Sequence, residues 1–375
     1  MSTRIGILST FPPTQCGLAT FSKALGDHLQ EVGAEVSVVR VVDSPQPPVP
    51  LVSHQLVTGR QRSAGDAAAA LNTCHVALVQ HEYGIFGGPD GADVLDVLAG
   101  LAVPVIVVLH TVLAHPSPHQ HYVLAQVVKA ADVAVTMTEA GRRLLIAGWG
   151  VRPESVVVIP HGAHANLSQP VTTPARPARP TVLTWGLLSD GKGIEWALEA
   201  IAHLADLDPQ PLYRIVGQTH PRVVEREGEA YRERLLAITD RLGVGPMVEF
   251  DDRYLDVPTL QGIVRSADVV LLPYDSPDQV TSGVLTEAVV AGRPVVSTPF
   301  PHAVELLSGG AGLLVDRRDV GGMAAALRRI LTDAGLAAQM ADAACALAPA
   351  QLWSSVAREY VTLATTLRSR ARSVA

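Results

Sequence analysis

Only three cysteines, Cys16, Cys74 and Cys345, occur in 375 residues, and no two of them form a CxxC pair. That scarcity excludes a zinc ribbon and a disulfide-stapled scaffold, and reduced thiols fit a cytoplasmic location. Long hydrophobic runs are missing too. Hydrophobic residues make up 48% of the chain, but the apolar stretches are strand-length, far short of the roughly 18 residues of a membrane span. Residues 5–8, which follow Met1-Ser2-Thr3-Arg4, lack the longer apolar region of a secretory signal, so a soluble protein is expected. Positive charge is sparse: the formal net charge is −7, which argues against nucleic acid as a partner. The one basic cluster, from Arg368 to Arg372, reads as a solvated helix end, with a peripheral membrane contact as the alternative.

What is present is a repeated alternation. A chain of 375 residues exceeds the roughly 250–300 at which single cores stop growing, so two domains are expected. Short β-branched runs recur at residues 5–8, 36–42, 76–80, 105–109, 133–136 and 156–159. A second series occupies 182–185, 213–216, 248–250, 269–272, 295–297 and 313–315. Most runs precede a turn or a helical stretch, the pattern of parallel sheets covered on both faces. The expectation is an α/β chain with a first Rossmann-like domain at 1–168, a Pro-rich linker at 169–180 and a second Rossmann-like domain at 181–348. A helical segment at 349–375 is expected to cross back to the first domain. Such a pair holds its ligand in the crevice between domains, at the carboxyl ends of the strands.

Two loops carry candidate chemistry. Gly186-Leu187-Leu188-Ser189-Asp190-Gly191-Lys192-Gly193 follows a strand and precedes the helical run at 194–204. It lacks the Ser or Thr that a P-loop places after its lysine to hold magnesium, so ATP or GTP hydrolysis is not expected. What remains is a lysine in a glycine-rich turn, able to meet a phosphate. Lysine is rare here: Lys23, Lys129 and Lys192 are the only three among 29 basic residues. The bland alternative is a solvated loop lysine. The second loop runs from Pro273 through Asp278, Gln279, Thr281, Ser282 and Gly283 into a helical stretch at 284–291. Thr281 or Ser282 can cap that helix, Gly283 allows a ligand to approach, and the helix N-terminus favours phosphate. Glu287, one turn in, can accept from ribose hydroxyls; the alternative is a solvated face.

No metal site is expected. His81-Glu82 lacks the second histidine of a zinc protease helix, because Ile85 stands there. His110, His115, His119 and His121 accompany Pro116 and Pro118 in an expected loop with no carboxylate nearby. Asp251-Asp252 reads as a turn or helix cap.

Taken together, these segments resemble family-four retaining glycosyltransferases of the GT-B fold, in a mannosyltransferase-like subgroup. Residues 271–296 resemble that family's donor-binding segment, with Glu287-Ala288 and Ala291-Gly292-Arg293-Pro294-Val295-Val296 matching the end of its paired-glutamate motif. Gly186 to Gly193 is similar to the family's glycine-lysine-glycine loop, and Val158-Ile159-Pro160-His161-Gly162 to its Ile-Pro-Asn-Gly turn. Phe11-Pro12-Pro13 through Cys16-Gly17-Leu18 resembles the first glycine-bearing loop, and Leu109-His110-Thr111 the active-site histidine segment. Gln80 to Gly88 resembles a loop of the subgroup. Two positions depart from the pattern: Gln279, beside Asp278, replaces the first glutamate, and Leu187 replaces an arginine.

The resemblance implies transfer of a hexose from a nucleotide-diphosphate sugar of the GDP-mannose or UDP-hexose type to a hydroxyl acceptor, with retention of configuration and without cofactor or metal. Lys192, His110 and Asp278 are the implied catalytic residues. Gly17, Gly186, Lys192, Gln279, Thr281, Ser282, Gly283 and Glu287 are the implied donor-binding residues. A nucleotide-sugar epimerase, or a non-catalytic nucleotide-sugar-binding protein of the same fold, is the alternative.

Overall fold

The computed structural model describes residues 2–60, 62–166, 179–276 and 279–374. Asp278 and most of the expected 169–180 linker lie outside the described residues. The chain divides into two compact units: residues 1–162 with 353–375, and residues 163–352.

The first unit opens with β1 (Arg4–Ser9), α1 (Gly17–Glu31), β2 (Glu35–Val42), β3 (Val52–Val57) and α2 (Ser63–Leu71). It continues with β4 (Val76–His81), α3 (Val94–Ala99), β5 (Val105–Leu109) and α4 (Pro118–Ala130). β6 (Val133–Thr136), α5 (Glu139–Trp149) and β7 (Val156–Val158) complete its first segment. Its sheet has the order β3-β2-β1-β4-β5-β6-β7, and every pairing is parallel. The inner strands β4, β5 and β6 are buried along their whole length. Their near-continuous Val/Leu/Ile runs suit strands covered on both faces.

Sequence pattern gave no sign of β3. Its run Val-Ser-His-Gln-Leu-Val is half polar because it pairs only with β2, at the sheet edge. A second difference lies at 115–121, which was expected to be loop. Helix α4 starts at Pro118, with Ser117 and Gln120 forming a reciprocal capping box. His119 lies in its first turn, 2.8 Å from Asp90, so a carboxylate is at hand, brought from 29 residues away. Among the described residues, however, no three potential metal ligands converge.

The second unit contains β8 (Thr181–Trp185), α6 (Ile194–Ala202), β9 (Leu212–Val216), α7 (Pro221–Glu227) and α8 (Ala230–Leu242). β10 (Val248–Asp251), α9 (Val257–Ser266), β11 (Val269–Leu272), α10 (Gly283–Val290) and β12 (Val295–Ser297) follow. α11 (Pro301–Leu307), β13 (Gly312–Leu314), α12 (Val320–Thr332) and α13 (Ala334–Gln351) end it. The order of this sheet is β10-β9-β8-β11-β12-β13, again all parallel. Leu198, Leu235 and Leu327 fill one face; Val264, Leu285, Ala303 and Ala344 fill the other. Asp251 is held by Arg253 rather than grouped with Asp252 as a ligand pair.

The last helix, α14 (Trp353–Val374), packs in the first unit. Trp353, Val356, Tyr360 and Ala364 share a core with Phe21, Leu25 and Leu29 of α1 and with Ile5, Leu78 and Val108 of the sheet. The Trp353 ring lies so near Gly162 that a Cβ there would fall 2.1 Å away, a position only glycine can fill. Among the described residues no helix is long and apolar enough to cross a membrane.

Candidate functional site

In each sheet the strand order reverses direction once, between β1 and β4 in the first unit and between β8 and β11 in the second. Loops at the carboxyl ends of the two strands beside such a switch point diverge and leave room for a ligand. In the second unit those loops are the two singled out in the sequence.

They are joined to each other. The amide of Asp275 donates to the carbonyl of Gly191 at 2.9 Å. Gly193 has φ +68°, and a Cβ on it would lie 1.9 Å from the Pro273 carbonyl oxygen, so both its backbone conformation and its neighbour demand glycine. Lys192, between these glycines, holds its ammonium 4.5 Å from the centroid of the Tyr274 ring. No described carboxylate forms an ion pair with it. Gly186, at φ +121°, is met by Gly217, on which a Cβ would fall 2.1 Å from the Gly186 carbonyl oxygen. The Leu188 amide donates to Gln218 and the His220 amide to Leu188, fixing the loop's outer half. Leu187 therefore sits in a braced loop despite departing from the family pattern.

Helix α10 begins just beyond the second loop. Ser282, not Thr281, is its cap: its Oγ accepts from the Leu285 amide at 3.2 Å. The Ser282 amide donates to His302 Nδ1 at 3.0 Å, which leaves the proton of that ring on Nε2. Gly283 and Val284 then supply first-turn amides, of the kind a helix leaves without an intrahelical acceptor. Ser282→Ala should remove about 1 kcal/mol of stability and lower the melting temperature by a few degrees, as read in a thermal melt. Gln279 reaches only the Thr281 carbonyl, at 3.3 Å.

Glu287 is not on a solvated face. It is largely buried, accepts from the His164 amide at 3.4 Å, and burial pushes its carboxyl up to about 7. A carboxylate so placed is short of donors. Sequence reasoning also missed Arg318, which adopts φ +62° and grips both oxygens of Asp275, with Nε at 3.0 and 2.9 Å. Its partner lies 43 residues away, so no local pattern announces the pair.

The first unit has its own polar cluster at the ends of β4 and β5. His110 Nε2 lies 2.7 Å from Gln80 Oε1, and its ring meets Phe21 edge-on at 4.8 Å. Burial, then repulsion from His161 and His81, pushes its pKa down to about 3, so the imidazole is neutral at neutral pH. His81 and His161 are pushed down to about 4, chiefly by burial. Glu82, read in the sequence only as part of a loop, has its carboxyl raised by burial and bonded by Thr111 and the Tyr83 amide. Gly17 is the first residue of α1, after a Cys16 cap, and a Cβ on it would touch nothing within 4 Å. Thus Gly186, Lys192, Gln279, Thr281, Ser282, Gly283 and Glu287 belong to the second unit, and Gly17 and His110 to the first.

Two doubly wound units, one bearing a lysine loop and a capped helix N-terminus at its switch point, define a Rossmann-like α/β protein. Two family descriptions match: "Glycosyltransferase Family 4" over residues 16–167 and "Glycosyl transferases group 1" over residues 179–333. The chain belongs to glycosyltransferase family four, with the GT-B fold. Among curated proteins it is similar to D-inositol 3-phosphate glycosyltransferase of Corynebacterium diphtheriae, 30% identical over 247 residues, covering 62% of this chain and 56% of that protein. The enzyme of the same name from Acidothermus cellulolyticus is 31% identical over 245 residues, covering 62% and 52%. The chain thus spans about half the length of the curated relatives it matches. Among solved structures, sucrose-phosphate synthase from Thermosynechococcus elongatus has a TM-score of 0.80 at 19% identity, covering 98% of this chain and 100% of that one. Anabaena HepE in complex with UDP and glucose has a TM-score of 0.77 at 17% identity, covering 97% and 100%.

Proposed function

We propose that the protein is a hexosyltransferase that moves a sugar from a nucleoside diphosphate to a hydroxyl acceptor, with retention of configuration. The observation that supports it most is the union of the Lys192 loop with the loop before α10, through the Asp275–Gly191 hydrogen bond and the Gly193–Pro273 contact. In this reading Lys192 and the first amides of α10 receive the diphosphate, and Glu287 receives the ribose hydroxyls. Asp278 and Gln279 are assigned to the transferred sugar on the resemblance alone. Neutral His110 orients the sugar or acceptor by hydrogen bonding.

Breaking the sugar–phosphate bond places negative charge on the leaving diphosphate. A fixed ammonium and oriented amides stabilise that charge as it grows, without needing to reorganise. That supply of positive charge is the basis for proposing transfer without a bound metal. A cytoplasmic location is part of the same proposal, supported by three free cysteines.

The test is a transfer assay with UDP-glucose and GDP-mannose as donors, UDP-glucose first because HepE is described in complex with it. D-inositol 3-phosphate is the first acceptor, taken from the relatives' name. The expected result is an α-linked product, seen by NMR, formed equally in EDTA. Loss of activity on chelation, restored by magnesium or manganese, would sink the metal-free mechanism. An inverted product would sink retention. Donor binding with no product across acceptors would favour the non-catalytic reading, to which Gln279 in place of the first glutamate gives specific weight. A changed free sugar in the absence of acceptor would favour an epimerase.

A further inference from the structure

Arg40 lies on β2, opposite Ser9 of β1, and is 2% exposed. Its Nη2 donates to Thr14 Oγ1 at 3.0 Å. Nε and Nη1 are buried and meet no acceptor among the described residues, and no described carboxylate pairs with the group. A guanidinium does not solve this by losing its proton, and an unpaired buried charge is costly.

The same loop that carries Thr14 leads into the N-terminus of α1. Cys16, which caps that helix of 15 residues, is bonded to Thr10 as well as to the Ala19 amide. Beyond it, the exposed Gly17 has open space where a side chain would stand. A helix N-terminus and a guanidinium without a counter-ion both favour an oxyanion.

We propose that Arg40 and the 10–17 loop form a binding site for an anionic group of the acceptor, a phosphate monoester or a carboxylate. Thr14 accepts from Arg40 Nη2 and is itself partly exposed, and in this proposal the anion takes its place on the guanidinium as the side chain turns away. The acceptor enters the inference because the donor diphosphate is assigned to Lys192 in the other unit, which gives Gly17 an acceptor role in place of the donor role that the resemblance implies; to that extent it rests on the transferase reading. The anion site itself is tested without transfer.

The full chain is titrated with inorganic phosphate in a zwitterionic buffer at constant ionic strength set with chloride, with and without saturating UDP or GDP. Phosphate should raise the melting temperature of the parent in a saturable way under both conditions, as mass action requires. A parallel acetate titration separates phosphate from carboxylate as the preferred group. Arg40→Met and Arg40→Gln should melt at or above the parent in the absence of phosphate and should lose the phosphate-dependent shift. Arg40→Lys should keep it, with a Kd weaker by about tenfold. A structural role would instead make the Met and Gln variants melt well below the parent or fail to fold, and either result overturns the site. So would an equal phosphate shift in parent and variants, or no response of the parent to either anion. If UDP or GDP abolishes the phosphate response, the anion is the donor's, and the acceptor assignment falls. Absence of transfer with the phosphate response intact would count against the transferase reading alone.

Discussion

Replacing Lys192 with alanine should weaken binding of UDP or GDP at least about tenfold and slow transfer by at least as much, the scale of roughly 1.4 kcal/mol. Its ammonium has no carboxylate partner among the described residues and rests on the face of Tyr274. That contact contributes on the order of 0.5–1 kcal/mol, so the variant should fold and melt close to the parent. The backbone around it is held independently, by the Asp275–Gly191 hydrogen bond and the close packing at Gly193. Loss of binding is therefore separable from loss of structure. Lys192→Arg should recover only part of the affinity, because a planar fork does not replace a compact point charge between two glycines. Calorimetry with the nucleotide and a thermal melt of the same sample decide the matter. Normal nucleotide binding in a folded alanine variant would remove Lys192 from the site.

The second large effect concerns Glu287, and here pH supplies the test. Its carboxyl is raised from 4.5 to about 7 by burial. The folded state thus keeps a proton that the unfolded chain loses between these values. Stability should fall as pH rises from about 4.5 to 7 and level off above, by an amount on the order of 3 kcal/mol. Glu287→Gln keeps an acceptor for the His164 amide and has nothing to ionise, so this contribution to the slope should vanish and the variant should be the more stable protein above pH 7. Nucleotide binding should move the opposite way. Ribose hydroxyls donate to the carboxylate form, so the parent should bind UDP or GDP more tightly at pH 8 than at pH 6. The Gln variant should bind roughly ten- to a hundredfold more weakly at pH 8, the range for losing a hydrogen bond to a charged group. Equal affinity of parent and variant at pH 8 would rule out Glu287 as the ribose ligand.

Much of the second unit was legible because its signals are local. A strand of Val and Leu, a glycine-flanked lysine, and a Ser-Gly helix start each announce themselves within a few residues, and the parallel topology then brings them together. Residues whose meaning depends on distant partners stayed hidden. Arg40 reads as an ordinary polar residue on a strand until its register opposite Ser9 shows it to be buried. Arg318 has no visible task until it meets Asp275. β3 resembles loop because an edge strand needs little apolar surface. Even within a legible loop, the choice between Thr281 and Ser282 as cap rests on which hydroxyl meets the Leu285 amide, and it is that of Ser282.

The placement of α14 in the first unit bears on how the molecule is made. During synthesis the seven strands of that unit emerge early, but the helix that covers Phe21, Leu25 and the adjacent sheet face arrives only after the whole of residues 163–352 has been translated. At roughly 5–20 residues per second, the nascent first unit waits on the order of ten seconds or more with an apolar face uncovered. The second unit, whose segment is continuous, can close its core during that interval. Birth order and folding order are therefore reversed: the part of the protein that begins first is the part that finishes last, and its exposed face is the one a chaperone would meet on the ribosome.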